Sequence, residues 1–174
     1  SQNYAIHLTI IGFDNDDLPN EFSNSILQKL ENKTLFTLLP KFGWVDDNGV
    51  LGNELLRTHA FITFTFRDPC PNVVVEAQSY GVPVIALQSG GVPEIVGRGG
   101  RLVPLDDYNG SMLWSNLTSE DYPVIDRWAV LNAMVDVRDN LREFQMRARE
   151  NFERYLEINV AAQKYTSAVD EIFE

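Results

Sequence analysis

Residues 60–80 read AFITFTFRDPCPNVVVEAQSY. The run up to Phe66 is rich in Ile, Phe and Thr, which favours a β-strand, and Pro71-Asn72 opens a segment of helical spacing. The sequence therefore predicts a strand, a short loop and a helix. In an open α/β sheet such a turn lies at the carboxyl edge, where free amides and the positive end of the helix dipole attract anions, above all phosphate.

Two carboxylates flank the predicted helix start. Asp68 lies on the loop before it, and Glu76 lies early in the helix. A carboxylate accepts hydrogen bonds from two hydroxyls, so Glu76 is suited to the hydroxyls of a sugar or a ribose. We expect Asp68 to sit above a phosphate-bearing ligand held at the helix start.

Strands and helices alternate along most of the chain. Predicted strands cover residues 6–11, 34–39, 60–66, 82–87 and 100–103, and predicted helices cover 20–30, 50–58, 72–80, 92–96, 123–137, 138–155 and 158–173. Continuous apolar strands between helices favour a parallel sheet that is covered on both faces. We predict an α/β fold: a Rossmann-like open parallel sheet in one domain, 1–174, with a loop or insertion at 104–122 and C-terminal helices at 123–174.

The segments Tyr80-Gly81-Val82-Pro83-Val84-Ile85-Ala86 and Gly90-Gly91-Val92-Pro93-Glu94-Ile95-Val96 extend the pattern. With Asp68, seven intervening residues and Glu76-Ala77, they resemble the donor-binding half of retaining GT-B glycosyltransferases of the group 1 class. The resemblance is dense over roughly thirty residues, which makes it far more specific than an isolated glycine motif. Asp68 stands where the class usually has Glu, so its carboxylate has a shorter reach.

The resemblance implies a nucleoside-diphosphate sugar as donor, retention of anomeric configuration, and no metal or other cofactor. It implies that Asp68 is catalytic and orients the donor sugar, and that Glu76 holds the nucleotide ribose. Gly12 closes the first strand, where a glycine lets a ligand approach the backbone or simply makes a turn. The full set of expected donor-binding residues is Glu76, Asn72, Val73, Gly12, Gly90 and Gly91.

A third segment, Gly43-Trp44-Val45-Asp46-Asp47, resembles the part of these enzymes that brackets the nucleotide base. The backbone of Val45 and the carboxylate of Asp47 are the candidates. A carboxylate accepts the N1 and N2 hydrogens of guanine, a pair that uracil does not offer, which favours a GDP-sugar slightly over a UDP-sugar. The alternative is a solvated acidic turn.

The chain begins with an apolar run that predicts a buried strand, without the preceding strand that carries an Arg and a Lys for the diphosphate in the resembling class. We therefore expect a domain that is incomplete at its N-terminus and inactive alone. The acceptor, a saccharide, lipid or protein, is then held by an N-terminal domain of the same enzyme. Two alternatives are a GT-B-type nucleotide-sugar epimerase and a non-catalytic nucleotide-sugar-binding module.

Net charge limits the possible binding partners, and cysteine content limits the possible disulfides. The formal net charge of -11 disfavours nucleic acid as a partner. Cys70 is the sole cysteine, so an intrachain disulfide is excluded. We expect a cytoplasmic location, with peripheral membrane contact through the missing domain as an alternative.

Overall fold

A computed structural model describes residues 6–13, 34–40, 49–105 and 124–173. The chain divides into two units, residues 1–50 and 51–174. No helix in the described ranges is both long and apolar enough to cross a bilayer. The prediction that 1–174 forms a single domain stays a prediction.

The first unit contains a pair of parallel strands, β1 (Ile6–Phe13) and β2 (Thr34–Pro40). Both lie where strands were predicted, and both run slightly further. Their register is regular as far as Ile11 and then shifts by one residue at Gly12. An extra residue in a strand is a bulge, and glycine is common there because it has no side chain to pack. The predicted helix at 20–30 lies outside the described residues.

The second unit contains a parallel sheet of three strands in the order β3-β4-β5. The strands are β3 (Phe61–Thr63), β4 (Val84–Leu87) and β5 (Gly100–Val103). The described helices are α1 (Val50–Arg57), α2 (Asn72–Ser79), α3 (Val92–Val96), α4 (Arg127–Asp139), α5 (Leu141–Asn151) and α6 (Ile158–Phe173). A π-helical turn (Phe152–Leu156) links α5 to α6.

The central strand β4 is buried on both faces, which is why every residue in it is apolar. Successive side chains point to opposite faces. Val84 and Ala86 pack against one cluster that includes residues of α1, α2 and α3. Ile85 and Leu87 pack against a second cluster that includes residues of α4 and α5. This sheet with helices on both faces confirms the predicted α/β, Rossmann-like architecture.

Strand β3 is shorter than the predicted strand at 60–66. Its ladder with β4 ends where Thr63 lies opposite Ala86. Beyond that point the hydroxyls of Thr63 and Thr65 hydrogen-bond each other at 2.7 Å, and the chain leaves the sheet. The strand-forming residues 64–66 have the right propensity, but pairing decides where a strand ends. The loop that carries Asp68 is correspondingly longer than expected.

The C-terminal region is helical, as predicted, but the first two helices begin and end at other residues than predicted. Helix α4 begins after Asp126, whose side chain accepts a hydrogen bond from the backbone N–H of Trp128. The predicted helix at 138–155 is interrupted by the π-helical turn after Asn151. Of the predicted loop at 104–122, Pro104 and Leu105 are in neither helix nor strand, and the remainder lies outside the described residues.

Candidate functional site

The predicted anion site is the start of α2. Its N-cap is Pro71, with φ -69 and ψ 102, and the cap makes no side-chain hydrogen bond. Proline has no side-chain oxygen, so it cannot satisfy the amides that open a helix. The carbonyl of Pro71 does accept from the backbone N–H of Val74 at 3.0 Å. The positive end of this eight-residue helix is therefore left without a capping side chain.

One face of α2 carries the donor-binding residues predicted on this helix. Val74, Ala77 and Gln78 are buried, whereas Asn72, Val73 and Glu76 are exposed. Glu76 lies four residues after Asn72, so the two share a side of the helix. The structure thus brings Glu76 and the first turn of α2 together on the solvent-facing side.

Asp68 lies on the loop before this helix and is partly exposed. Its Oδ1 accepts a hydrogen bond from the backbone N–H of Cys70 at 3.0 Å. Its carbonyl oxygen accepts from the backbone N–H of Gly91, also at 3.0 Å. The loop is therefore attached to the turn that follows β4.

The two glycines of that turn allow the attachment. A Cβ on Gly90 would lie 2.4 Å from the carbonyl oxygen of Asp68, and a Cβ on Gly91 would lie 1.9 Å from the carbonyl oxygen of Pro69. Gly90 also has a φ of +59, which side-chain-bearing residues rarely adopt. Asp68, Gly90 and Gly91 are thus close together, and the N–H of Gly91 is used to hold the loop.

Arg67 and Ser89 complete this junction, and neither was singled out in the sequence. Among the described residues, Arg67 is the one non-glycine residue with a positive φ, +58. It is buried, and its backbone N–H donates to Ser89 Oγ at 2.9 Å. Nothing in the sequence indicates a left-handed arginine, because the conformation depends on a partner 22 residues away.

A buried amide pair anchors the other end of α2. Asn151 Nδ2 donates to Gln78 Oε1 at 2.8 Å and to the Ile95 carbonyl at 2.9 Å, and Gln78 Nε2 donates to the same carbonyl at 2.9 Å. These bonds join α2, α3 and α5. The three residues that make them are nearly inaccessible to solvent, so each buried polar group has a partner. They fix the helix that carries Glu76.

The other predicted site residues are not among the described residues of the second unit. Gly12 lies in the first unit, at the bulge of β1. Val45 and Asp47 lie outside the described residues, so their roles stay predictions. Within the described ranges, no three His, Cys, Asp or Glu side chains gather in a way that suits a metal ion.

The family model for glycosyl transferases group 1 matches residues 1–113. The chain therefore belongs to this family. No protein of the curated set matches it significantly.

Solved structures support the same fold. Sucrose-phosphate synthase (tll1590) from Thermosynechococcus elongatus superposes with a TM-score of 0.61 at 17% identity, over 95% of this chain and 38% of that one. Anabaena Alr3699/HepE, solved in complex with UDP, gives a TM-score of 0.61 at 16% identity, over 95% and 41%. At 16–17% identity these similarities concern the fold alone. The chain spans less than half the length of either protein.

Proposed function

We propose that this chain is the donor-binding part of a retaining glycosyltransferase that takes a nucleoside-diphosphate sugar. The observation that carries the proposal is the start of α2: a helix without a capping side chain, Asp68 on the loop before it and Glu76 on its exposed face. Membership of the glycosyl transferases group 1 family supports the reaction class.

The chemistry follows from where charge develops. When the bond between sugar and diphosphate breaks, negative charge accumulates on the departing phosphate and positive character on the anomeric carbon. The N-terminal amides and dipole of α2 stabilise the phosphate charge. Asp68 orients the donor sugar through its hydroxyls, and Glu76 holds the ribose.

The proposal includes the other donor contacts expected from the resemblance. Gly12, Gly90 and Gly91 are donor-binding residues in this proposal, and Val45 and Asp47 are its base-binding residues. Both GDP and UDP are candidates: the Asp47 carboxylate favours guanine, whereas the HepE relative was solved with UDP. No metal is required in this scheme.

The acceptor and its domain are also part of the proposal. We infer that an N-terminal domain of the same enzyme holds a saccharide, lipid or protein acceptor, and that the 174-residue chain alone transfers no sugar. The relatives are more than twice as long as this chain, which supports a second domain. We place the enzyme in the cytoplasm, where the single Cys70 remains a thiol.

Calorimetric titration of UDP and GDP into the complete protein tests the nucleotide site. Glu76→Gln replaces a charged acceptor with a neutral one, so we expect a loss of about 1.5 to 3 kcal/mol, or about 10- to 150-fold in Kd. The matched control is Glu171→Gln, an exposed glutamate on α6, which should leave Kd unchanged.

Two outcomes would contradict the proposal. If the wild-type protein binds neither nucleotide, the chain does not contain a nucleotide-sugar-binding site. If Glu76→Gln and Glu171→Gln behave alike, Glu76 does not hold the ribose.

A further inference from the structure

The loop that carries Asp68 is held in a disfavoured backbone conformation. Arg67, the residue before it, has a φ of +58. In this left-handed region the Cβ of an L-residue crowds the neighbouring carbonyl oxygen, so the conformation persists only where contacts enforce it. A return of φ to the usual helical value is a rotation of about 120°. Because Asp68 is the next residue, such a rotation would move its carboxylate.

Ser89 makes a hydrogen bond to the residue that has this conformation. Its Oγ accepts from the backbone N–H of Arg67 at 2.9 Å, and the Ser89 side chain is buried, with 2% of the residue exposed. Ser89 is itself fixed, because its N–H donates to the Leu87 carbonyl at 2.9 Å and its carbonyl accepts from the N–H of Val92 at 3.3 Å. The acceptor therefore belongs to the rigid junction between β4 and α3.

A second bond holds the loop one residue further on. The carbonyl of Asp68 accepts from the N–H of Gly91 at 3.0 Å. This bond fixes the peptide after Asp68, whereas the Ser89 bond fixes the peptide before Arg67. One hydrogen bond therefore lies on each side of the Arg67–Asp68 peptide, and the two together restrict the backbone that carries the Asp68 side chain.

We propose that Ser89 is a positioning residue for Asp68. Its hydroxyl holds the left-handed turn at Arg67, and that turn places the Asp68 carboxylate beside the donor sugar. The inference rests on the proposed transfer function. It adds a residue that touches neither sugar nor nucleotide and acts through the backbone.

Ser89→Ala in the complete protein removes the acceptor and leaves a buried N–H without its partner. Misplacement of a reacting group by about 1 Å costs up to about a hundredfold in rate, so we expect kcat to fall about ten- to a hundredfold. The Kd for UDP or GDP should stay within about twofold, because α2 is untouched. Hydrogen exchange at the Arg67 amide should accelerate at least about tenfold.

Two further variants keep the test specific. Thr58→Ala removes a hydroxyl that donates to the Glu54 carbonyl at 2.7 Å, at the end of α1, and should leave kcat and Arg67 exchange unchanged. Ser89→Thr retains the γ-oxygen, so it should keep higher turnover than Ser89→Ala and keep the Arg67 amide protected. It also provides the test if Ser89→Ala does not fold.

Each result bears on a different statement. Wild-type protein that neither binds nucleotide nor transfers sugar would overturn the proposed function and this role with it. If the wild type is active and the kcat of Ser89→Ala lies within twofold of the wild-type kcat, the positioning role alone is overturned. Equal losses in kcat and nucleotide affinity, or a Ser89→Thr variant no better than Ser89→Ala, would also overturn it.

Discussion

Two aspartates stand near helix starts in this chain and make the same local hydrogen bond. Asp126 Oδ1 accepts from the backbone N–H of Trp128 at 2.8 Å, and Asp68 Oδ1 accepts from the backbone N–H of Cys70 at 3.0 Å. Asp126 is the N-cap of α4, so its bond satisfies an amide of the helix. Asp68 lies three residues before Pro71, the N-cap of α2, so its bond stays within the loop.

The two aspartates differ in how far they lie from the first residue of the helix, and not in residue type. At α4 a carboxylate of the chain neutralises the positive end of the helix. At α2 the cap position is a proline, and the nearby carboxylate is held off the helix start. The same side chain thus completes one helix and leaves the other available to an anionic ligand.

The largest effect is expected at Asp68. Asp68→Asn should depress sugar transfer by the complete protein by about a hundredfold or more, because the amide is a weaker acceptor for the donor's hydroxyls. Nucleoside-diphosphate affinity should stay nearly intact. Steady-state kinetics with UDP- and GDP-sugars, together with calorimetric Kd values, separate the two quantities.

The matched control is Asp126→Asn, the same change at the other helix start, where asparagine is an equally good cap. It should leave both turnover and stability close to wild type. Normal turnover in Asp68→Asn would remove Asp68 from the mechanism. Equal losses of turnover and nucleotide affinity would show that Asp68 does not act on the sugar alone.

An intermediate effect is expected when α2 is given the cap that α4 has. Pro71→Asp supplies a carboxylate to the first-turn amides and adds negative charge where the diphosphate would sit. We expect the Kd for UDP or GDP to rise about 5- to 30-fold, which corresponds to about 1 to 2 kcal/mol. Pro71→Ala, which adds no oxygen, is the control for the loss of the proline. Equal Kd values for the two variants would mean that the start of α2 does not bind phosphate.

The smallest effect is expected when α4 loses its cap. Asp126→Ala should lower the free energy of unfolding by about 1 kcal/mol, because the Trp128 amide loses its acceptor. Nucleotide affinity should not change. Denaturant unfolding measures the loss, and Asp126→Asn should restore it. A change in nucleotide affinity would show that α4 is connected to the donor site.

The main elements of the fold were predictable because they depend on local patterns. The continuous apolar run of β4, buried on both faces, and the alternation of strands and helices indicated the parallel sheet. The β3 boundary was wrong, since residues 64–66 favour a strand but have no partner in the ladder beyond Thr63. The π-helical turn after Asn151 was also missed, because the helical spacing continues through it.

The sequence by itself determined the helix start and the spacing of its side chains. Pro71 at the cap, Glu76 one turn into α2 and Asp68 on the preceding loop follow from short-range rules of helix geometry, which act over a few residues. Family membership also follows from the sequence, since the family model matches residues 1–113.

Only the tertiary structure decided how Asp68 is held. The bond from the Arg67 amide to Ser89 spans 22 residues, and the one between Asn151 and Gln78 spans 73. Neither partner in such a pair carries a local signal, because a backbone N–H or a serine hydroxyl looks the same wherever it occurs in a sequence. Packing of β3, β4 and the turn after β4 brings these groups within hydrogen-bonding distance, and burial makes each bond costly to lose.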